Sequence, residues 1–154
     1  MDATFYPSIP ENNFQLLKSG DPDGKYWMPA MSDAPLRGYN GRHEWFWEPG
    51  DEEHVYPLEN LVDMYYKSVG RNSTLIIGLT PDPRGLMPDV DVARMREFGN
   101  EINRRFSQPL SSGSGGNIVT LKLPRPSKVN HVILQENIIN GERVRSYLLE
   151  VRVK

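Results

Sequence analysis

Two stretches of helical periodicity flank one apolar run in the middle of the chain. Leu58, Leu61, Val62 and Tyr65 follow the i, i+3, i+4, i+7 spacing of an amphipathic helix. That helix is expected from about Leu58 to Ser68, with Gly70 as its stop. Ser73 to Leu79 is mostly apolar, as in a strand buried on both faces. A second helix is expected to start near Asp89, a good N-cap after Pro88, with Val92, Met95, Phe98, Ile102 and Phe106 as its apolar stripe. The order helix, strand, loop, helix suits a parallel α/β sheet, in which each crossover requires a helix. Chemistry in such folds gathers at the carboxyl ends of the strands, so the loop after Leu79 is a natural place to look for function.

The period then changes. Ser107 to Gly116, SQPLSSGSGG, has the composition of a flexible linker. Beyond it Ile118, Thr120 and Lys122 alternate with Val119, Leu121 and Leu123, the period of a strand. Val129 to Gln135 is a second strand candidate. Arg143 to Lys154 is a third, with Tyr147, Leu149, Val151 and Val153 on one face. Short strands at this spacing suggest a β-sandwich, which three strands cannot close, so the module is expected to continue past Lys154.

Residues 1–57 hold Pro7, Pro10, Pro22, Pro29, Pro35, Pro49 and Pro57 and show little periodicity. They are also aromatic-rich (Tyr26, Trp27, Tyr39, Trp45, Phe46, Trp47, Tyr56), unlike a disordered linker. Long loops around short strands, packed on something, are expected there.

Composition narrows the function classes. The chain has 154 residues, room for one domain or pieces of two. A full (β/α)8 barrel needs about 250 residues. The 18 basic and 20 acidic residues are interspersed, which gives no electrostatic case for nucleic acid or for a membrane surface. No cysteine is present, so disulfides and thiolate metal sites are excluded. No stretch approaches the roughly 20 apolar residues of a transmembrane helix. The start, MDATFYPSIPENN, lacks the regions of a signal peptide and reads as an internal segment of a longer chain.

The densest candidate chemistry is His43-Glu44-Trp45-Phe46-Trp47-Glu48, followed by Asp51, Glu52, Glu53 and His54. Carboxylates beside aromatics suit glycoside hydrolysis. An apolar neighbour raises a carboxyl pKa so that it can act as general acid, and sugar C–H faces stack on indole rings. The competing reading makes the aromatics core and Glu48 to His54 a solvated loop. His-Glu-Trp-Phe-Trp is not a zincin motif, because position 47 is not His. No metal or cofactor is expected. Ser-Gly-Ser-Gly-Gly lacks the Lys-Ser/Thr of a phosphate loop, His131 reads as structural, and Lys67, Arg71 and Arg84 as scattered surface cations.

Three collinear blocks resemble glycoside hydrolase family 29, the α-L-fucosidases. YYKSVGRNSTLIIGLTPDPRGLMPD is similar to the family's helix, Gly-x-Asn turn, strand and Pro-Asp…Gly loop. YWMPAMSDAPLRG (Tyr26 to Gly38) resembles its W-x-P-A-E-x-D-x-x-[IL]-R stretch, and Trp45-Phe46-Trp47 the following G-W-F-Y. LPRPSKVNHVILQENIINGERVRSYLLEV resembles its first C-terminal sandwich strands. The resemblance implies the C-terminal part of a (β/α)8-like barrel over residues 1–106, a linker over 107–116 and the start of an antiparallel β-sandwich over 117–154. It further implies a retaining exo-glycosidase acting on fucosylated oligosaccharides or glycoconjugates, with fucose or a related L-sugar as the residue removed. A periplasmic or secreted location follows from the resemblance alone.

Two departures mark a divergent subgroup. Met31 stands where many relatives have Glu in P-A-E, and Met cannot donate a proton. The general acid/base role is therefore assigned first to Glu48, with Glu44 and Glu52 in reserve. Gly78 stands where the strand usually has Asn. Trp27, Trp45 and Trp47 are expected to wall the sugar pocket, with Tyr39 beside them, while Arg37 either bonds a sugar hydroxyl or braces the loop. A retaining mechanism needs two carboxyls about 5–5.5 Å apart. Nothing before Tyr26 resembles the strand that carries the family's nucleophile, so the isolated chain is expected to be inactive. The alternatives are a non-catalytic carbohydrate-binding protein and a structural remnant that associates through exposed barrel edges.

Overall fold

The computed structural model describes residues 4–5, 23, 26–27, 30–40, 45–139 and 143–152. They fall into two compact units. One contains the described residues from 30 to Arg125; the other contains those of 2–28 together with Pro126 onward.

The first unit is built on a parallel strand pair. Strand β3 (Ala30–Pro35) lies beside β4 (Ser73–Gly78) in the register Ala30↔Ser73 through Pro35↔Gly78. The crossover between them contains helix α1 (Leu58–Lys67), and β4 is followed by helix α2 (Asp89–Phe106). This is the predicted α/β order, with β3 supplied by the proline-rich stretch. Side chains alternate across a strand. Leu75 and Ile77 therefore join Leu36, Val55, Leu61, Val62 and Phe98 in the core under the helices. The opposite face holds Met31 and Asp33 on β3 and Thr74 and Ile76 on β4, all exposed. The expectation of a strand buried on both faces is thus corrected: Ile76 is 41% exposed, because no described layer covers that side.

An aromatic group locks the two helices together. Tyr65 stacks on Phe106 at 5.6 Å and meets Phe98 edge-on at 6.3 Å, while Arg105 donates to the Tyr66 hydroxyl at 3.0 Å. The predicted stripe of α2 holds at Met95, Phe98, Ile102 and Phe106, and only its first position differs. Val92 is 42% exposed, and the buried row runs through Asp91, Met95, Phe98 and Ile102. The end of α1 also differs from expectation. The chain continues into a 3-10 turn, Val69–Arg71, and Asn72 rather than Gly70 takes the left-handed conformation, at φ 62°. Asn tolerates that region better than most side chains, and its N–H donates to the Val69 carbonyl at 3.2 Å. Asp89 is the first helical residue, not the cap; Pro88 precedes it, as the fixed proline φ allows.

In the second unit β1 (Thr4–Phe5) pairs antiparallel with β2 (Tyr26–Trp27). The three strands expected after Gly116 form no ladder among the described residues. Tyr147, Leu148, Leu149 and Val151 are all more than half exposed, so among the described residues neither face of that stretch has a layer to pack on. Hydrogen bonds nonetheless join positions 136–139 and 143–144. The Glu136 carboxylate accepts the backbone N–H groups of Arg143 and Val144 at 2.9 and 3.1 Å, and the Asn137 side chain accepts that of Ile139. The segment from 107 to 125 groups with the first unit.

Candidate functional site

The chain leaves β3 in an excursion that returns to its starting point. The Leu36 N–H extends the ladder to the Gly78 carbonyl at 2.9 Å. Gly38 and Tyr39 donate to the His54 carbonyl, Tyr56 donates to the Leu36 carbonyl, and Arg37 pairs with Val55. These bonds close a neck at the carboxyl end of the sheet. Above it lies the segment bearing Trp45, Phe46, Trp47, Glu48, Asp51 and Glu52. Tyr39 is part of the neck: its ring meets Tyr56 edge-on at 6.0 Å, and the His54 Nδ1 lies 3.3 Å from its carbonyl oxygen.

Trp45 reaches back to the sheet. A Cβ built on Gly78 would come within 3.1 Å of Cζ3 and 3.4 Å of Cε3 of its ring. The indole therefore lies on the bare backbone at the end of β4, and it is 45% exposed. Trp47 is half-buried; Phe46, at 82%, is not core. Glu48 and Glu52 are exposed on the same excursion, whereas Asp51 is buried. Trp27 stands in β2, in the other unit, and Glu44 lies outside the described residues.

Arg37 is buried to 1% exposure and donates from Nε and Nη2 to one oxygen of Asp91, at 3.1 and 3.0 Å. These are the bracing contacts, tying the neck to the first turn of α2. Arg37 Nη1, Asp91 Oδ2, Asp51 Oδ2 and Thr80 Oγ1 are buried side-chain atoms without a hydrogen-bond partner among the described residues. All four belong to segments that follow the strand ends or begin α2. Buried polar atoms are nearly always paired, so exceptions gathered at one end of a sheet point to function there.

The loop after β4 is self-contained. Asp82 accepts the N–H groups of Arg84 and Leu86 and the Arg84 guanidinium, which holds its carboxyl below the usual carboxylate range. Gly85, at φ 76°, lets the turn close. Asp82 is thereby committed to the loop. An apolar cavity of about 280 Å³ lies on the helix side of the sheet, lined by Tyr65, Val69, Leu75, Ile77, Met95 and Phe98. It holds no carboxylate and belongs to helix–sheet packing. Among the described residues no group of three His, Cys, Asp or Glu side chains could hold a metal ion.

Sequence reasoning missed Asp91, Thr80 and the contact of Gly78 with Trp45; it placed Asp51 in the candidate cluster but not as a buried side chain. Asp91 had a signal: an acid on the apolar stripe four residues before Met95 implies a buried partner. Nothing local marks Thr80.

A parallel α/β unit with aromatics and carboxylates on a loop at its carboxyl end is an arrangement found in carbohydrate-cleaving barrels. In sequence and in fold the chain matches part of the glycoside hydrolase family 29 α-L-fucosidases. It is 34% identical to α-L-fucosidase 1 of Arabidopsis thaliana over 94 residues, 61% of this chain and 17% of that protein. A provisionally named rice α-L-fucosidase 1 is 32% identical over 133 residues, 86% of this chain and 24% of the relative. Among solved structures, a provisionally named α-L-fucosidase from Bacteroides thetaiotaomicron superposes with a TM-score of 0.89 at 58% identity, over 94% of this chain and 34% of that one. A family 29 fucosidase of Ruminococcus gnavus, solved with fucose, gives 0.52 at 34% identity over 59% of this chain and 17% of its own. The chain thus spans about a quarter of the length of the rice relative. No family model matches it.

Proposed function

We propose that this chain is the carboxyl-side portion of the catalytic domain of a retaining α-L-fucosidase-type exo-glycosidase, with Glu48 as general acid/base. In this reading residues 1–106 contribute the last strands and helices of a (β/α)8-like barrel, 107–116 a linker, and 117–154 the opening of a β-sandwich. The observation that carries it is the 58% identity and 0.89 TM-score to the Bacteroides structure, over 94% of this chain. The closed excursion at the strand ends supports the site, because it presents Trp45, Trp47 and Glu48 where such folds do their chemistry.

In the proposed reaction Glu48 donates a proton to the glycosidic oxygen as the bond to the anomeric carbon breaks. A carboxylate nucleophile from outside this chain forms the glycosyl ester. Glu48 then accepts a proton from the water that cleaves it. Trp45 and Trp47 would stack on the sugar. The substrate is a fucosylated glycan, and the setting periplasmic or secreted.

Release of nitrophenol from an aryl α-L-fucoside tests this. Turnover is expected from the full-length protein and none from the 154-residue chain. Turnover by the short chain, lost in Glu48→Gln, would show that it holds both carboxylates. One observation favours a second reading, non-catalytic sugar binding: Met31, where many relatives carry Glu, is 68% exposed on the open sheet face. A full-length protein that binds L-fucose without turning over the fucoside would establish that reading instead.

A further inference from the structure

We infer that Gly78 is a specificity-determining residue: its missing side chain seats the Trp45 indole, and thereby sets the surface on which the C–H face of the sugar rests. Glycine in a strand weakens it and marks a close backbone approach. Two reasons for a glycine are available here, and only one applies. Among the described residues the positive-φ glycines are Gly38, Gly50 and Gly85; Gly78 is not among them, so its backbone does not demand glycine. Its surroundings do. A Cβ at this position would meet the Trp45 ring at 3.1 Å, with the Pro35 backbone at 3.8 Å behind it.

Strand alternation puts that missing Cβ on the open face of the sheet, in line with Thr74 and Ile76. Trp45 therefore covers the carboxyl end of that face while remaining 45% exposed, and its free surface is available to a ligand. The apolar C–H face of a hexose is the chemistry that fits a half-exposed indole beside exposed carboxylates. Any side chain at 78 lifts or turns the ring and moves this platform. The inference rests on the reading of Trp45 as a pocket wall and adds the residue that positions it.

A double-mutant cycle in the full-length protein tests the idea, using Gly78→Ala, Trp45→Ala and the pair with 4-nitrophenyl α-L-fucoside. Loss of one aromatic contact corresponds to a rise in KM of about three- to ten-fold. Gly78→Ala should raise KM by this amount with kcat changed less than about twofold, and should add nothing to Trp45→Ala. A crystal structure of Gly78→Ala should show the indole displaced. An unchanged KM, losses that multiply in the pair, or a ring still in place would each overturn the inference. If the wild type has no turnover, the function proposed above falls. The same cycle is then read from L-fucose affinity by calorimetry, where coupled losses support the platform and independent losses refute it.

Discussion

Arg37 and Asp91 form a buried ion pair in which two guanidinium N–H groups converge on one carboxylate oxygen, at 3.1 and 3.0 Å. Each side chain is 1% exposed. Arg37 follows the end of β3 at the neck of the aromatic excursion, and Asp91 sits in the first turn of α2. The pair therefore fixes the base of the candidate site to the helix that follows β4. A carboxylate in a first helical turn is also favoured by the helix dipole.

Removing one partner leaves the other charge buried alone. Arg37→Ala should cost about 3–5 kcal/mol, while Arg37→Met combined with Asp91→Leu should restore much of it. Urea midpoints of the full-length variants measure both. A cost below about 1 kcal/mol for the single change would mean that the pair is not the tie described.

Asn72 closes the 3-10 turn in the left-handed region. Asn72→Ala should destabilise by roughly 1–2 kcal/mol, whereas Asn72→Gly should be close to neutral. Thermal melts would decide; equal effects would show that the loss comes from the side chain and not from the backbone angle.

Acid should loosen α2 before the rest of the first unit. Hydrogen bonds from Arg104 and then Arg105 lower the Glu101 carboxyl from 4.5 to about 2. A folded pKa below the unfolded one gives stability that is present above about 4.5 and is lost as pH falls toward 2. Asp82 shifts the same way through Arg84. Both carboxylates are solvent-screened, so the effect is small per group. Hydrogen exchange across the last turn of α2 at pH 5 and pH 3 should show protection falling at the lower value; constant protection would contradict it.

If Glu48 protonates the leaving group, its loss matters least where the leaving group needs no proton. Glu48→Gln should reduce kcat/KM by roughly 10²–10⁴ on an alkyl fucoside or a fucosylated oligosaccharide. The loss should be much smaller on a dinitrophenyl fucoside. A uniform loss across leaving groups would remove Glu48 from the acid role and return attention to Glu52 and Glu44.

The helices and β4 were legible in sequence because their periodicity is local: Leu61, Val62 and Phe98 are core in the structure as their spacing implies. Strand β3 was not, since Ala-Met-Ser-Asp-Ala-Pro carries an acid on a face that no described layer covers and small residues on the other. The alternation of Tyr147, Leu149 and Val151 predicted a packed face, yet a period of two says only which side chains share a side. It does not supply the opposing sheet.

Local periodicity told which segments are helical and where β4 runs, and chain order told which aromatics and carboxylates travel together. Long-range packing is what pairs Arg37 with Asp91 and lays the Trp45 ring against Gly78. Those facts depend on partners far away along the chain, 54 positions apart for Arg37 and Asp91. Burial and steric exclusion are properties of what surrounds a residue, and no local pattern encodes a neighbour that the fold has yet to bring there.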